Sequence, residues 1–181
     1  MVAKAHGQVA GVLAAYDFTD AGQVGDIGGG SGHLLRAILV AAPDTTGILF
    51  DLPPVIAEAK SNSTRLTLQA GDFFRDPLPV CDTYLLMEII HDWGDEEAVA
   101  ILAAVRRAAP PHAKLLLIET IVPDDPGPDW SKVLDIYMLA LLGGRQRTRR
   151  EYEWLLDQTG FRLRRAIDTG AGVAILEART A

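Results

Sequence analysis

The sequence has one cysteine, Cys81, in 181 residues. No disulfide framework is therefore expected, and a reducing, cytoplasmic setting fits. Long apolar runs are also missing. The stretch 133–142 is interrupted and too short to cross a bilayer. Near the N-terminus, His6, Gly7 and Gln8 break the apolar stretch that a signal peptide needs. Basic residues are outnumbered, 17 against 24 acidic, for a net charge of −7. Such a surface repels phosphodiesters, so nucleic acid and membranes are not expected as partners. Internal repeats and low-complexity tracts are absent.

Forty-nine per cent of the residues are hydrophobic, enough for one folded domain with a substantial core. Residues 24–32 read V-G-D-I-G-G-G-S-G, an apolar strand running into a glycine-dense turn, with an apolar helix from His33. Gly28, Gly30 and Gly32 permit positive φ and the close approach of a ligand. A strand end facing a helix start is where open α/β sheets bind nucleosides and charged small molecules. A tight turn holding no ligand is the simpler alternative.

The hydrophobic pattern predicts the end of a helix over 9–16 and strands over 23–27, 46–50, 65–70, 83–87 and 114–119. Helices are expected over 34–42, 53–60 and 95–109, the last capped by Asp95. After a loop at 123–128 comes a helix over 131–142, broken by Gly143-Gly144. Thr148 and Glu151 form a capping box for a helix ending near Gly160. Strands over 161–167 and 173–178 have a short connection, which makes them an antiparallel hairpin. This order predicts an α/β fold with a mostly parallel sheet and one antiparallel strand at or near an edge.

A dinucleotide turn reads G-x-G-x-x-G, but His33 holds the third glycine position, which disfavours an NAD-dependent dehydrogenase. Asp26 immediately precedes the turn. Asp51 ends the second strand ~20 residues further on, as suits an acid on ribose hydroxyls. Asp72 ends the third strand and is followed by Phe73-Phe74, an acid and a ring face for adenine. Each acid alone can be a turn former. Three at successive strand ends point to a nucleoside.

D-I-G-G-G-S-G, F-D-L-P, G-D-F-F, H-D-W-G-D-E and G-G-R-Q-R-T-R-R-E-Y occur in that order. Together they resemble the S-adenosylmethionine-dependent O-methyltransferases of the plant caffeate-type, hydroxyindole and bacterial polyketide group. The resemblance implies a Rossmann-like methyltransferase fold of about seven strands, the last antiparallel. It implies S-adenosyl-L-methionine as cofactor and S-adenosyl-L-homocysteine as product. Asp26, Gly28 and Gly30 would serve the methionine end, Asp51 the ribose, and Asp72 with Phe73 the adenine. Met87 would flank the cofactor, where plant members carry a lysine.

By the same resemblance His91 is the general base and Glu119 the acid that orients it. The alternatives are a partly exposed loop histidine and a surface carboxylate. A phenol, with a pKa of about 10, is mostly protonated at neutral pH, and histidine is a base suited to that range. Gln146 stands where the family has a second acid; it can hydrogen-bond an imidazole but brings no charge to its cation. Trp93 and Met138, with Leu139, would line the acceptor pocket, although Trp93 and Leu139 can equally be packing residues. No metal is expected: His6, His33, His91 and His112 lack ligand spacing, and Asp124-Asp125 reads as a solvated turn. Arg145, Arg147, Arg149 and Arg150 read as a solvated helix start rather than a nucleic-acid patch.

The expected organisation is a linker-type helix over 1–20 and an S-adenosylmethionine-binding domain over 21–181. Family members carry a further N-terminal helical domain that makes the dimer and contributes to the acceptor pocket. The chain is thus expected to be the catalytic domain alone, a fragment or a natural truncation, with an apolar face prone to self-association. The expected activity is methylation of a small-molecule hydroxyl, phenolic or polyketide-type. The alternative is a cofactor-binding domain without independent catalysis, needing a partner.

Overall fold

The computed structural model describes residues 2–61 and 63–181, without the side chains of 2–5, 139, 141 and 142. In chain order the elements are α1 (Val2–Ala15), β1 (Gln23–Ile27), α2 (His33–Ala41), β2 (Thr46–Asp51), α3 (Pro53–Glu58), β3 (Leu66–Ala70) and β4 (Thr83–Met87). A 3-10 turn (Ile90–Asp92) leads to α4 (Asp95–Ala108), β5 (Lys114–Glu119) and β6 (Ile121–Val122). Then follow α5 (Trp130–Leu142), β7 (Arg147–Thr148), α6 (Arg149–Gln158), β8 (Phe161–Asp168) and β9 (Ala174–Thr180).

Seven strands form one sheet in the order β3-β2-β1-β4-β5-β9-β8. The first five are parallel, and β9 runs antiparallel to both β5 and β8. The hairpin therefore adds to the sheet with its second strand inward. Burial explains the choice: Ile175, Leu176 and Ala178 of β9 are fully buried, whereas half of the β8 residues are exposed and suit an edge. In the parallel part, β1 lies between β2 and β4, so the strand order reverses there. That reversal leaves a crevice at the carboxyl ends of β1 and β4.

Two apolar layers sandwich the sheet. Val12, Leu34, Leu35 and Ile38 of α1 and α2 pack on one face, and Ile101, Leu102, Val105, Leu155 and Leu156 of α4 and α6 on the other. Each fully buried Leu or Ile contributes roughly 1.5–3 kcal/mol from burial. No helix among the described residues is long and apolar enough to cross a membrane.

The capping box forms as expected, with Thr148 and Glu151 reciprocally bonded at the start of α6. The start of α4 differs from expectation. Gly94 is its N-cap and makes no side-chain cap bond, while Asp95 is the first helical residue. The Asp95 carboxylate is turned instead to Arg147. Helix α5 begins with an Asp129 cap and leaves Trp130, Val133, Ile136 and Tyr137 exposed, at 68%, 39%, 69% and 53%. Three of these recur at helical spacing, so α5 carries an apolar stripe with no cover among the described residues.

Candidate active site

The parallel ladders align the ends of β1, β2, β3, β4 and β5 on one edge. Three backbone bonds extend the pairing beyond the strands: Gly28 N–H to Phe50 O at 2.8 Å, Gly71 N–H to Asp51 O at 2.9 Å, and Glu88 N–H to Ile118 O at 2.9 Å. The residues singled out after each strand are thereby set side by side.

Two cavities open on this edge. One, of about 270 Å³, is lined by Gly28, Asp51, Asp72, Phe73, Phe74, Ile89, Asp92 and Trp93 among others. The other, of about 150 Å³, is lined by Val9, Asp26, Gly28, Gly29, His33, Leu34, Met87 and Glu88. Gly28 belongs to both. Its φ is +72°, and a Cβ there would come 2.8 Å from Ile89 Cδ1. The positive φ is what favours glycine here, since the Ile89 methyl can shift away from a Cβ.

Asp51 fastens the turn as well as lining the first cavity. Its carboxylate accepts from Gly30 N–H at 2.8 Å and from Leu52 N–H at 2.7 Å. Lone pairs remain for an incoming diol. Asp72 accepts from Phe74 N–H at 2.9 Å, which holds the two phenylalanines over the cavity. Phe73, Phe74 and Trp93 meet edge to face, with centroids 4.8 to 5.9 Å apart. Trp93 is thus grouped with the residues read as cofactor-binding. Met138 is half-buried on α5 and lines neither cavity. The Leu139 side chain lies outside the described residues.

Asp26 is 2% exposed. Burial, reinforced by the charge of Asp51, pushes its carboxyl up to about 7, against a smaller opposing effect from the Leu35 backbone N–H. The shift favours the neutral carboxyl.

His91 occupies the 3-10 turn after β4. Its Nδ1 lies 2.6 Å from Glu119 Oε2, and Glu119 is fully buried. The other oxygen, Oε1, accepts from Ile89 N–H at 3.1 Å and Ile90 N–H at 2.8 Å. Glu119 is therefore an anchored acceptor, not a surface carboxylate. Glu119 holds a proton on Nδ1, so Nε2 is the nitrogen that gains or loses one. Nε2 is 3.4 Å from Asp92 Oδ1, and the imidazole is 12% exposed. Burial by itself lowers the His91 pKa, but the hydrogen bond and charge of Glu119, with the charges of Asp92 and Glu88, bring it above the usual histidine value. His91 lines neither cavity itself; Met87 and Glu88 before it line one, and Ile89, Asp92 and Trp93 around it the other.

The arginine run was expected to be solvated, and Arg147 is the exception. Its guanidinium is fully buried. It donates to Ile90 O at 3.0 Å, Trp93 O at 2.9 Å and Arg145 O at 3.3 Å, and twice to Asp95 Oδ1, at 2.8 and 3.1 Å. The reason is the two-residue parallel ladder between β6 and β7, which turns Arg147 inward beneath the His91 turn. Arg145 N–H also donates to His91 O at 2.9 Å. Gly144 makes this approach possible, since a Cβ there would lie 2.2 Å from His91 O. Gln146 is buried, its N–H bonded to Asp135 at 2.8 Å and its Oε1 without a partner among the described residues. Periodicity did not single out Arg147; the sequence placed it in the G-G-R-Q-R-T-R-R-E-Y motif, between a double glycine and a capping box, without marking it as buried.

Residues 3–162 match the family model of the O-methyltransferase domain. The chain is 43% identical over 175 residues to a phenazine O-methyltransferase of Lysobacter antibioticus, covering 93% of this chain and 51% of that protein. It is 38% identical over 177 residues to a mitomycin biosynthesis 6-O-methyltransferase of Streptomyces lavendulae, covering 94% and 50%. Among solved structures, human N-acetylserotonin methyltransferase in complex with S-adenosylmethionine superposes with a TM-score of 0.90 at 32% identity, over 96% of this chain and 52% of that one. The fold and the edge-on site define a class I methyltransferase-type α/β domain. The chain belongs to the O-methyltransferase domain family, and it spans about half the length of these relatives.

Proposed function

We propose that the protein is an S-adenosylmethionine-dependent O-methyltransferase acting on a phenolic or polyketide-type hydroxyl of a small molecule, with His91 as general base. The observation that carries this reading is the His91–Glu119 pair set beside a two-part groove at the sheet's switch point.

The groove fits the cofactor. The larger cavity has a diol-binding acid, a second acid and three aromatic rings, as an adenosine needs. The smaller is lined by Asp26 and Glu88, acceptors suited to the ammonium of the amino-acid end. Gly28 lines both. Bound there, S-adenosylmethionine supplies a methyl group already activated by its sulfonium. The protein must then orient an oxygen and remove its proton. His91 Nε2 accepts that proton, while Glu119 holds the ring through Nδ1 and favours the imidazolium that forms. Glu119 itself is held by two backbone N–H groups, so the pair is in place before the acceptor arrives.

In this reading 21–181 is the donor-binding domain and α1 the linker-type helix. The apolar stripe on α5 supports association, through a second copy or a preceding helical domain of the kind seen in the family. The buried thiol of Cys81 fits a reducing, cytoplasmic setting.

A phenol panel incubated with S-adenosylmethionine, with S-adenosylhomocysteine formation as readout, tests the activity. His91→Asn should lower turnover by about 10²-fold or more while leaving S-adenosylhomocysteine affinity unchanged. Equal turnover in both proteins would refute His91 as base. A second reading, cofactor binding without independent catalysis, is favoured by the uncharged Gln146 and the exposed α5 stripe. Binding with no turnover on any panel member would decide for it. If His91 is the base, Gln146→Glu should raise turnover.

A further inference from the structure

We propose that Asp95 is a positioning residue for His91, acting through the two arginines that hold the turn around it; the proposal rests on the reading of His91 as base. Asp95 is the first residue of α4. Both of its oxygens face the segment after α5. Oδ1 accepts from Arg147 Nε at 3.1 Å and Nη2 at 2.8 Å, and Oδ2 pairs with Arg145 Nη1 at 3.4 Å. The same Arg145 guanidinium pairs with Glu151 of the α6 capping box. The segment is thus tied to the starts of two helices, and the positive end of α4 favours the carboxylate that ties it.

What the segment holds is the His91 turn. Arg147 Nη1 donates to Ile90 O at 3.0 Å and Nη2 to Trp93 O at 2.9 Å, and Arg145 N–H donates to His91 O at 2.9 Å. Three carbonyls of the turn are therefore fixed from one side. From the other, Glu119 accepts from the N–H groups of Ile89 and Ile90 and meets His91 Nδ1. The two holds depend on each other. Glu119 aims the ring only while the backbone at 90 and 91 stays where it is, and that backbone rests on the Arg147 guanidinium. This guanidinium is fully buried, and Asp95 is its one carboxylate partner among the described residues. Without that partner the buried cation has no counter-charge. Asp95 is 42% exposed, so water on its side draws the guanidinium off Ile90 O and Trp93 O. The loss is then felt at the aim of Nε2, not at the cofactor groove, whose acids lie on other strands.

Two measurements test this. The first needs no acceptor. The bond to Glu119 should give His91 a downfield, slowly exchanging Nδ1–H resonance in the wild type, assigned by its loss in His91→Asn. Asp95→Asn and Asp95→Ser should speed its exchange with water about fivefold or more, and Asp95→Glu should restore part of the protection. Serine keeps a small polar group at the helix start, which guards against a folding artefact. The second measurement is methyl transfer. Both loss variants should lower kcat about tenfold, while the KM for S-adenosylmethionine stays within about twofold. Adding Arg147→Met to Asp95→Asn should change either readout little further, because both act through one contact. Absence of the resonance from the wild type, or wild-type values of either readout in both loss variants, overturns the proposal. So does a KM that rises as far as kcat falls. Full methyl transfer by His91→Asn, or none by the wild type, overturns the base reading instead.

Discussion

Replacing Arg147 by methionine tests whether the segment after α5 is a structural part of the site. The guanidinium is fully buried, and its five donor contacts reach three backbone carbonyls and Asp95. Asp95 is 42% exposed and regains water when its partner goes, so its share of the loss is small. The carbonyls of Ile90, Trp93 and Arg145 lose charge-assisted bonds, and each one left buried and unpaired costs about 1–3 kcal/mol. Methionine fills part of the stem's volume, and removing a buried charge recovers some desolvation cost. The expected net loss is about 3–5 kcal/mol, or roughly 10 °C in Tm for a domain of this size. Urea and thermal unfolding followed by circular dichroism measure it. Arg147→Lys should fall between, because an ammonium keeps the charge but not the planar fork. A loss below about 1 kcal/mol for the methionine variant would refute the assignment of Arg147 as the fastening beneath His91.

Three further expectations concern the groove and the turn. Asp26 titrates near 7 in the fold and near 3.8 as a free group, so between these values the folded state binds more protons. Stability should therefore fall as pH rises from about 4 to 7, by at most about 4 kcal/mol, and Asp26→Asn should flatten that slope in urea unfolding at several pH values. Gly28→Ala should weaken S-adenosylhomocysteine binding about tenfold or more by calorimetry, at a stability cost of about 1–2 kcal/mol; unchanged affinity would remove Gly28 from the groove. Gly144→Ala would set a Cβ against the backbone of His91 and Asp92, so it should cost about 1–3 kcal/mol and perturb the His91 ring resonances. Resonances identical to the wild type would show that the segment does not set the turn.

Much of this site was legible because its parts are local. Each parallel strand is a short apolar or alternating run ended by a glycine or an acid, and period and punctuation are read directly from neighbours in sequence. The strands over 23–27, 83–87 and 114–119 have those bounds in the structure, and the capping box at Thr148 depends on residues three apart. Since all five parallel strands point the same way, Gly28, Asp51, Asp72, Met87 and Glu119 had to emerge at one edge. The family motifs added an expectation of which acid would face which part of a nucleoside.

The features that escaped are those made by distant partners. The ladder of β6 with β7 has two residues per strand, too few for any period, and joins segments far apart in sequence. Arg147 therefore read as solvent-facing until the fold placed Asp95 and three carbonyls around it. Trp93 read as an acceptor-pocket wall or a packing residue until the fold set the rings of Phe73 and Phe74 against it. The left-handed turn at Glu88, with φ at +54°, has no sequence signal, since glutamate is not a residue that favours it. The sequence by itself determined the strand–helix alternation, the glycine turn and the identity of the acids at each strand end, because these depend on near neighbours and on residue chemistry. Only the tertiary structure decided which charges surround His91 and which side chains hold its turn, because those contacts exist only after the chain has closed on itself.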